Sequence, residues 1–235
     1  TGRTGGAVPI AGGIVLSTLG MKSIKDIDVR EGIAVVEPGV VLADLHAAVE
    51  REGWFYPPDP NSLASCAIGG YVAESAGGPR AFKYGVTGRY VLGLEAFLIG
   101  GQRIFAGRRT LKGVTGYDVT SLLVGSEGTL AVFGDVTLRL IPKPPAVMTL
   151  MALFASVRDA GAAVARITAA GLVPRCTELL DSATLEAMRG AVIPIDARAG
   201  AMLLNEADGE ERDCELSATR VSDACESALS LLVAQ

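Results

Sequence analysis

The sequence predicts an α+β chain of two consecutive domains, residues 1–145 and 146–235, on three observations. Glycine is abundant, 29 of 235 residues, and concentrated between Gly2 and Gly134, where it punctuates short runs of strand-forming residues. The run Lys143-Pro144-Pro145 interrupts that pattern, because proline fixes its own φ and drives the preceding residue out of the helical region. After it glycine thins, and strand-like and helix-like segments alternate. The second domain therefore reads as a βαβ-rich layer of helices on a sheet, with the strand order open.

Taken in order, residues 13–16, 33–37, 91–99 and 103–106 read as strands, and Gly100-Gly101 as the hairpin turn between the last two. Leu42, Leu45 and Val49, with the alanines between them, predict a helix with one apolar face, ended by Gly53. His46, the chain's only histidine, reads as a surface or flank residue of that helix, since a general base needs a partnered position in a cleft. Residues 118–124 read as a short helix stopped by Gly125. Beyond the prolines, strand 147–154 leads to Ser156-x-x-Asp159, an N-terminal capping pattern, and a helix to Gly171. Strand 175–180, helix 182–189, strand 201–206 and a helix from about Cys214 complete the pattern.

Composition excludes several classes. A chain 49% hydrophobic can bury a core, and a net charge of -5 with 20% charged residues lacks the basic footprint of a nucleic-acid binder. No apolar run reaches the roughly 18 residues of a membrane span. Cys66, Cys176, Cys214 and Cys225 show neither C-x-x-C spacing nor a compact pattern, which argues against an iron–sulfur cluster or a disulfide framework and for a reducing cytoplasm. No metal site is read. The chain opens at Thr1 inside a glycine-rich loop, without Met, and stops at Gln235 within a helix-like run; material missing at both ends is expected.

Four blocks bear on chemistry. Thr1-Gly2-Arg3-Thr4-Gly5-Gly6 offers free N–H groups for a phosphate, although such loops also serve as plain turns. Pro57-Pro58-Asp59-Pro60 is followed by a stretch from Ser65 through Ile68-Gly69-Gly70 to Gly77-Gly78. Two Gly-Gly pairs with small residues between them let the backbone approach a flat or anionic ligand, whereas helix-on-sheet packing explains only one pair. Lys83-Tyr84-Gly85-Val86-Thr87 is the third block, and Gly113 to Asp118, leading to Val124-Gly125-Ser126-Glu127-Gly128-Thr129-Leu130, the fourth. Neither a Rossmann nor a Walker signature is present.

These blocks, in this order and spacing, resemble the FAD-binding domain of the vanillyl-alcohol-oxidase, or PCMH, type. Within it the chain is most similar to the FAD-linked subunit of glycolate oxidase and to the D-lactate and D-2-hydroxyglutarate dehydrogenases. The resemblance is strong over residues 1–145 and continues weakly through Glu178-Leu179-Leu180-Asp181, implying part of an α+β, ferredoxin-like substrate or cap domain. It implies that Gly2, Thr4, Gly5 and Gly6 hold the FAD pyrophosphate. Pro58, Asp59 and Ser65, with Ile68, Gly69, Gly70, Ser75, Gly77 and Gly78, are expected along the diphosphate and isoalloxazine; Gly85, Val86, Glu127, Gly128 and Val132 are expected to complete the pocket.

There are departures. Tyr71 and Ser75 stand where relatives commonly have asparagine, Phe133-Gly134-Asp135 replaces the usual V-T-E, and the arginine-glycine run before the first loop is missing. The resemblance implies oxidation of a small 2-hydroxy acid by hydride transfer to flavin, with an electron acceptor such as an iron–sulfur subunit as partner. No residue of the chain is identified as the catalytic base, and family members carry a histidine-rich motif beyond the matched region. A subunit that holds FAD or serves assembly without catalysing is the alternative. Arg80, Lys83 and Arg89 are candidate anion-holding cations, but solvated surface charges are the simpler expectation; Tyr84 and Tyr117 read as packing residues with polar tips.

Overall fold

The structure, a computed structural model, describes Gly2, residues 5–189 and residues 195–234. Two compact units divide the chain: Thr1–Gly78 with Gly85–Lys143, and Pro79–Tyr84 with Pro144–Gln235.

In chain order up to the prolines the elements are β1 (Ile24–Asp28), β2 (Ile33–Val36), α1 (Leu42–Arg51), β3 (Trp54–Phe55), α2 (Ile68–Ala73) and α3 (Ala81–Tyr84), then β4 (Val91–Phe97), β5 (Arg103–Gly107), α4 (Val119–Leu123), β6 (Val132–Arg139) and β7 (Ile141–Pro142). All but α3 belong to the first unit. Its main sheet has the order β1-β2-β6-β4-β5 with every neighbouring pair antiparallel. All four residues of β2 are buried, and β6 buries Val136 and Leu138 while Asp135 and Arg139 stay outside the core, the period-two pattern of a pleated strand. α1 packs through Leu42, Leu45 and Val49, three positions of one helical face. Gly101, at φ 81°, closes the β4–β5 hairpin, where Leu98 N–H donates to Gln102 O at 2.9 Å.

The strand expected at 13–16 does not form. Gly12 and Gly13 adopt φ 77° and 123°, which breaks extended geometry, and Ile14, Val15 and Leu16 are exposed.

The second unit contains β8 (Ala146–Phe154), α5 (Val157–Ala169), β9 (Cys176–Asp181), α6 (Ser182–Met188), β10 (Ala201–Gly209), α7 (Glu211–Glu226) and β11 (Leu232–Ala234). Its sheet runs β11-β8-β10-β9, all antiparallel; counted by appearance this is fourth, first, third, second, the ferredoxin-like arrangement. β8 and β9 are parallel to each other with β10 inserted between them, a split βαβ unit. Ser156 caps α5 by accepting the Asp159 N–H at 3.2 Å.

Both faces of the central strands are covered, which is why β8 and β10 read as nearly continuous apolar runs. Ala152, Phe154, Ala201 and Leu203 meet Ile167 of α5 and Val221 of α7 on one face. Leu153 and Met202 meet Leu185 of α6 on the other. Phe154 is fully buried in the larger cluster. Phe154→Ala is therefore expected to cost about 3–5 kcal/mol, read as a lowered denaturant midpoint for the second unit; a loss below about 1 kcal/mol would contradict this packing.

Candidate functional site

The site is built around the short helix α2. Its first turn is tied to the preceding loop, Ile68 N–H donating to Val40 O at 2.9 Å and Gly69 N–H to Pro38 O at 2.7 Å. Glycine is required at 69, because a Cβ there would lie 2.7 Å from Pro38 Cβ. Ile68, Tyr71 and Val72 anchor the helix in the core, and Gly70 faces open space.

Three distant stretches meet at the other end of α2. Gly125 N–H donates to Val72 O at 3.2 Å and Glu127 N–H to Ala73 O at 2.9 Å. Thr87, fully buried, reaches Ala76 O with both its N–H, at 3.2 Å, and its hydroxyl, at 2.7 Å. The first glycine loop joins them: a Cβ on Gly2 would strike the Glu74 carboxylate, and one on Gly6 would lie 3.4 Å from Glu127 Oε2. Because the surrounding carboxylates are negative, an anion held here depends on backbone N–H donors rather than on these side chains.

The backbone at this junction is strained in a directed way. Ser75 and Glu127 take φ 46° and 50°, beside Gly85, Gly125 and Gly128 at 81°, 81° and 76°. A non-glycine residue in the left-handed region costs about 1–2 kcal/mol, and such residues gather at binding sites. Ser75 stands where the resemblance expects asparagine, which tolerates that conformation better. Gly5 and Gly128 have nothing within 4 Å of where a Cβ would sit. Ser126 Oγ, in the same loop, is buried without a hydrogen-bond partner among the described residues, a group that sequence reasoning passed over although Gly-Ser-Glu-Gly displays it.

Other expected residues sit apart from this junction or act on the scaffold. Gly78 packs directly on the Asp59 backbone carbonyl, where a Cβ would collide. Gly77, beside it, is half-buried. Pro58 is buried, and its carbonyl lies 3.0 Å from His46 Nε2. Since a carbonyl only accepts, Nε2 carries the proton. The surface position expected for His46 is thus corrected: it is 8% exposed, drawn inward by that bond and an edge contact with Tyr56 at 5.9 Å. Burial pushes the Tyr56 and Tyr71 phenols well above their ordinary range, so both are neutral core groups. Ser65 is exposed, its hydroxyl donating to Ser62 O at 3.3 Å, away from the junction. Val86 is 41% exposed. Val132 pairs with Phe97 at the edge of β6, and with Gly128, Leu16 and Met21 lines an apolar cavity of about 670 Å³. Thr4 lies outside the described residues.

The departures have structural reasons. Phe133 fills the core, Gly134 leaves room for the Glu95 carboxylate, and Asp135 pairs with Lys25 at 2.7 Å. Tyr117 is 98% exposed, so it packs on nothing, and Lys83 is half-buried in an ion pair with Asp208 instead of solvated. Arg89 folds against Gly85. Two substitutions test the geometry. Gly78→Ala sets backbone against Cβ and is expected to cost about 2 kcal/mol or more, whereas Gly70→Ala, helical and in open space, gains up to about 1 kcal/mol. Equal effects in urea unfolding would contradict the arrangement.

Both parts of the chain are similar to known proteins. The FAD binding domain family matches residues 1–107, and the FAD linked oxidases, C-terminal domain family matches residues 143–234. Glycolate oxidase subunit GlcD of Bacillus subtilis is 41% identical over 100% of this chain and 51% of its own length. The subunit of the same name from Escherichia coli K12 is 39% identical over 95% of this chain and 45% of its own. D-lactate dehydrogenase of Archaeoglobus fulgidus is 40% identical over 79% and 41%. The chain spans about half the length of the curated relatives it matches. A solved structure of alkyldihydroxyacetonephosphate synthase superposes with a TM-score of 0.74 over 90% of this chain and 41% of its own, at 19% identity, which speaks for the fold alone. With its converging glycine loops and these two matched domains, the chain belongs to the FAD-linked oxidases, an FAD-binding domain followed by the family's C-terminal domain.

Proposed function

We propose that the chain holds FAD across the junction at the end of α2 and serves the oxidation of a small 2-hydroxy acid of the glycolate or D-lactate type. The observation that carries this is the convergence of the loops at 72–78, 85–87 and 125–128 through the backbone hydrogen bonds on Val72, Ala73 and Ala76, with Gly2 and Gly6 against the Glu74 and Glu127 side chains. The residues fit the group. Two phosphates demand N–H donors and a planar ring demands small-residue walls, and the site offers glycines bordering open space and an orphaned buried hydroxyl, Ser126 Oγ. Gly2, Thr4, Gly5 and Gly6 are assigned to the pyrophosphate, and Gly70, Ser75, Gly77, Gly78, Gly85, Glu127 and Gly128 to the remaining contacts.

Bound there, FAD supplies a two-electron acceptor for the hydride on the α-carbon of the acid. The chain's own part is to bind and orient. Its one histidine is committed to Pro58 O in the core, so we assign the proton-abstracting base to none of the described residues. That same observation favours a second reading, a subunit that holds FAD without catalysing. The names of the relatives, glycolate oxidase subunits and D-lactate dehydrogenases, support the enzyme. The word subunit supports an electron-accepting partner chain, for which an iron–sulfur protein is our choice. Among the described residues no helix is long and apolar enough to cross a membrane, and four buried free thiols suit the reducing cytoplasm we propose.

The test is an anaerobic absorbance titration of the full-length protein with FAD, then glycolate or D-lactate. Flavin bands that bleach establish the dehydrogenase; bands that persist with every 2-hydroxy acid favour the holding subunit; no uptake of FAD defeats the proposal. Ser126→Ala gives an internal control. Removing an unpaired buried hydroxyl is expected to stabilise the FAD-free protein by up to about 1–2 kcal/mol, while FAD affinity falls about tenfold. Both quantities moving down together would contradict the assignment.

A further inference from the structure

The prolines of the run Pro57-Pro58-Asp59-Pro60 leave Asp59 as its one residue with a backbone N–H. Such a stretch is held chiefly through its carbonyls, and these need donors from elsewhere. Helix α1, in the same unit, supplies donors to the loop that the run opens. Two of the N–H groups that its first turn cannot use for itself reach forward, Leu42 donating to Cys66 O at 3.0 Å and Ala43 to Leu63 O at 3.1 Å. His46 follows these by four and three positions, on the same side of the helix, and its Nε2 donates to Pro58 O at 3.0 Å.

Of these ties the last is made by a side chain. The ring is buried, and its edge contact with Tyr56, itself fully buried and set edge-on to Tyr90 at 5.9 Å, leaves it little freedom to turn. A donor bonded to Pro58 O fixes the plane of the Pro58–Asp59 peptide. The Asp59 carbonyl, one peptide further on, is the group against which Gly78 closes, with no room there for a Cβ. All of these residues lie in the first unit.

We infer that His46 is a positioning residue for the cofactor: by holding Pro58 O it sets the Pro58–Asp59 peptide, and with it the Gly77-Gly78 turn assigned above to FAD. The inference rests on that assignment. It gives the chain's single histidine a task that needs a donor and no proton transfer, and it accounts for a polar ring drawn inward beside Leu42, Leu45 and Val49.

The experiment compares wild type with His46→Gln, His46→Asn and His46→Leu in the full-length protein. A glutamine amide reaches about as far as Nε2 of the imidazole, an asparagine amide only as far as Nδ1, and leucine offers no donor. Hydrogen exchange of the FAD-free form reports release of the loop at the bonded amides of Ala43, Leu63 and Cys66, and FAD affinity is measured separately by flavin fluorescence. His46→Asn and His46→Leu are expected to speed exchange and weaken FAD binding, each about tenfold, while His46→Gln stays within about twofold of wild type. Should His46→Asn not fold, His46→Leu, which keeps an apolar contact with the core, carries the test. Unchanged exchange overturns the grip whatever FAD does. Faster exchange with unchanged FAD affinity overturns the positioning role, and His46→Gln behaving like His46→Asn overturns the donor role of Nε2. Failure of wild type to take up FAD overturns the assignment on which the inference rests, and is read from wild type alone.

Discussion

Everything at the site depends on carbonyl groups that a helix cannot use for itself. The last carbonyls of any helix lack intrahelical partners, and at the end of α2 they are completed from elsewhere in the chain: Val72, which also takes the Ser75 N–H at 3.0 Å, by Gly125, Ala73 by Glu127, and Ala76, just beyond, by Thr87. The first two bonds pull together segments about fifty residues apart in sequence, and the third closes a nearer loop; between them lie the left-handed turns at Ser75 and Glu127. A helix of only six residues is marginal by itself. The loops that α2 gathers also help to keep it folded.

The glycines divide into two physical kinds. Gly69, Gly78 and Gly134 are present because a neighbouring group occupies the space of a Cβ: Pro38, the Asp59 carbonyl and the Glu95 carboxylate. Gly5, Gly70 and Gly128 border open space, where only conformation or an incoming ligand accounts for the missing side chain. The first kind builds the scaffold and the second leaves room on it. Tight packing accounts for Gly69, which meets Pro38, whereas Gly70 beside it meets nothing and leaves space on the same helix.

Legibility in the sequence followed burial pattern. α1, the β4–β5 hairpin and the alternation after Pro145 were readable because apolar spacing, turn glycines and a capping serine all pointed one way. α2 was hidden, since Ile68-Gly69-Gly70 has poor helix propensity and the helix is held by tertiary bonds. β6 was hidden by Gly134, which interrupts an otherwise regular alternation. Residues 13–16 misled in the opposite sense: three β-branched or apolar side chains in a row follow two glycines that forbid the extended course. His46 misled because a polar residue on an amphipathic helix was placed outside, whereas a buried proline carbonyl supplied its partner. The four glycine blocks were visible, but their meeting at one helix end was not, since no local signal encodes which carbonyls they complete.

The most direct test of the central claim is hydrogen exchange of the full-length protein with and without FAD. Amides of residues 5–6, 70–78, 85–87 and 125–128 should slow together on addition of FAD. Protection confined to a single one of these loops, or absent from all of them, would contradict a cofactor site assembled at the end of α2.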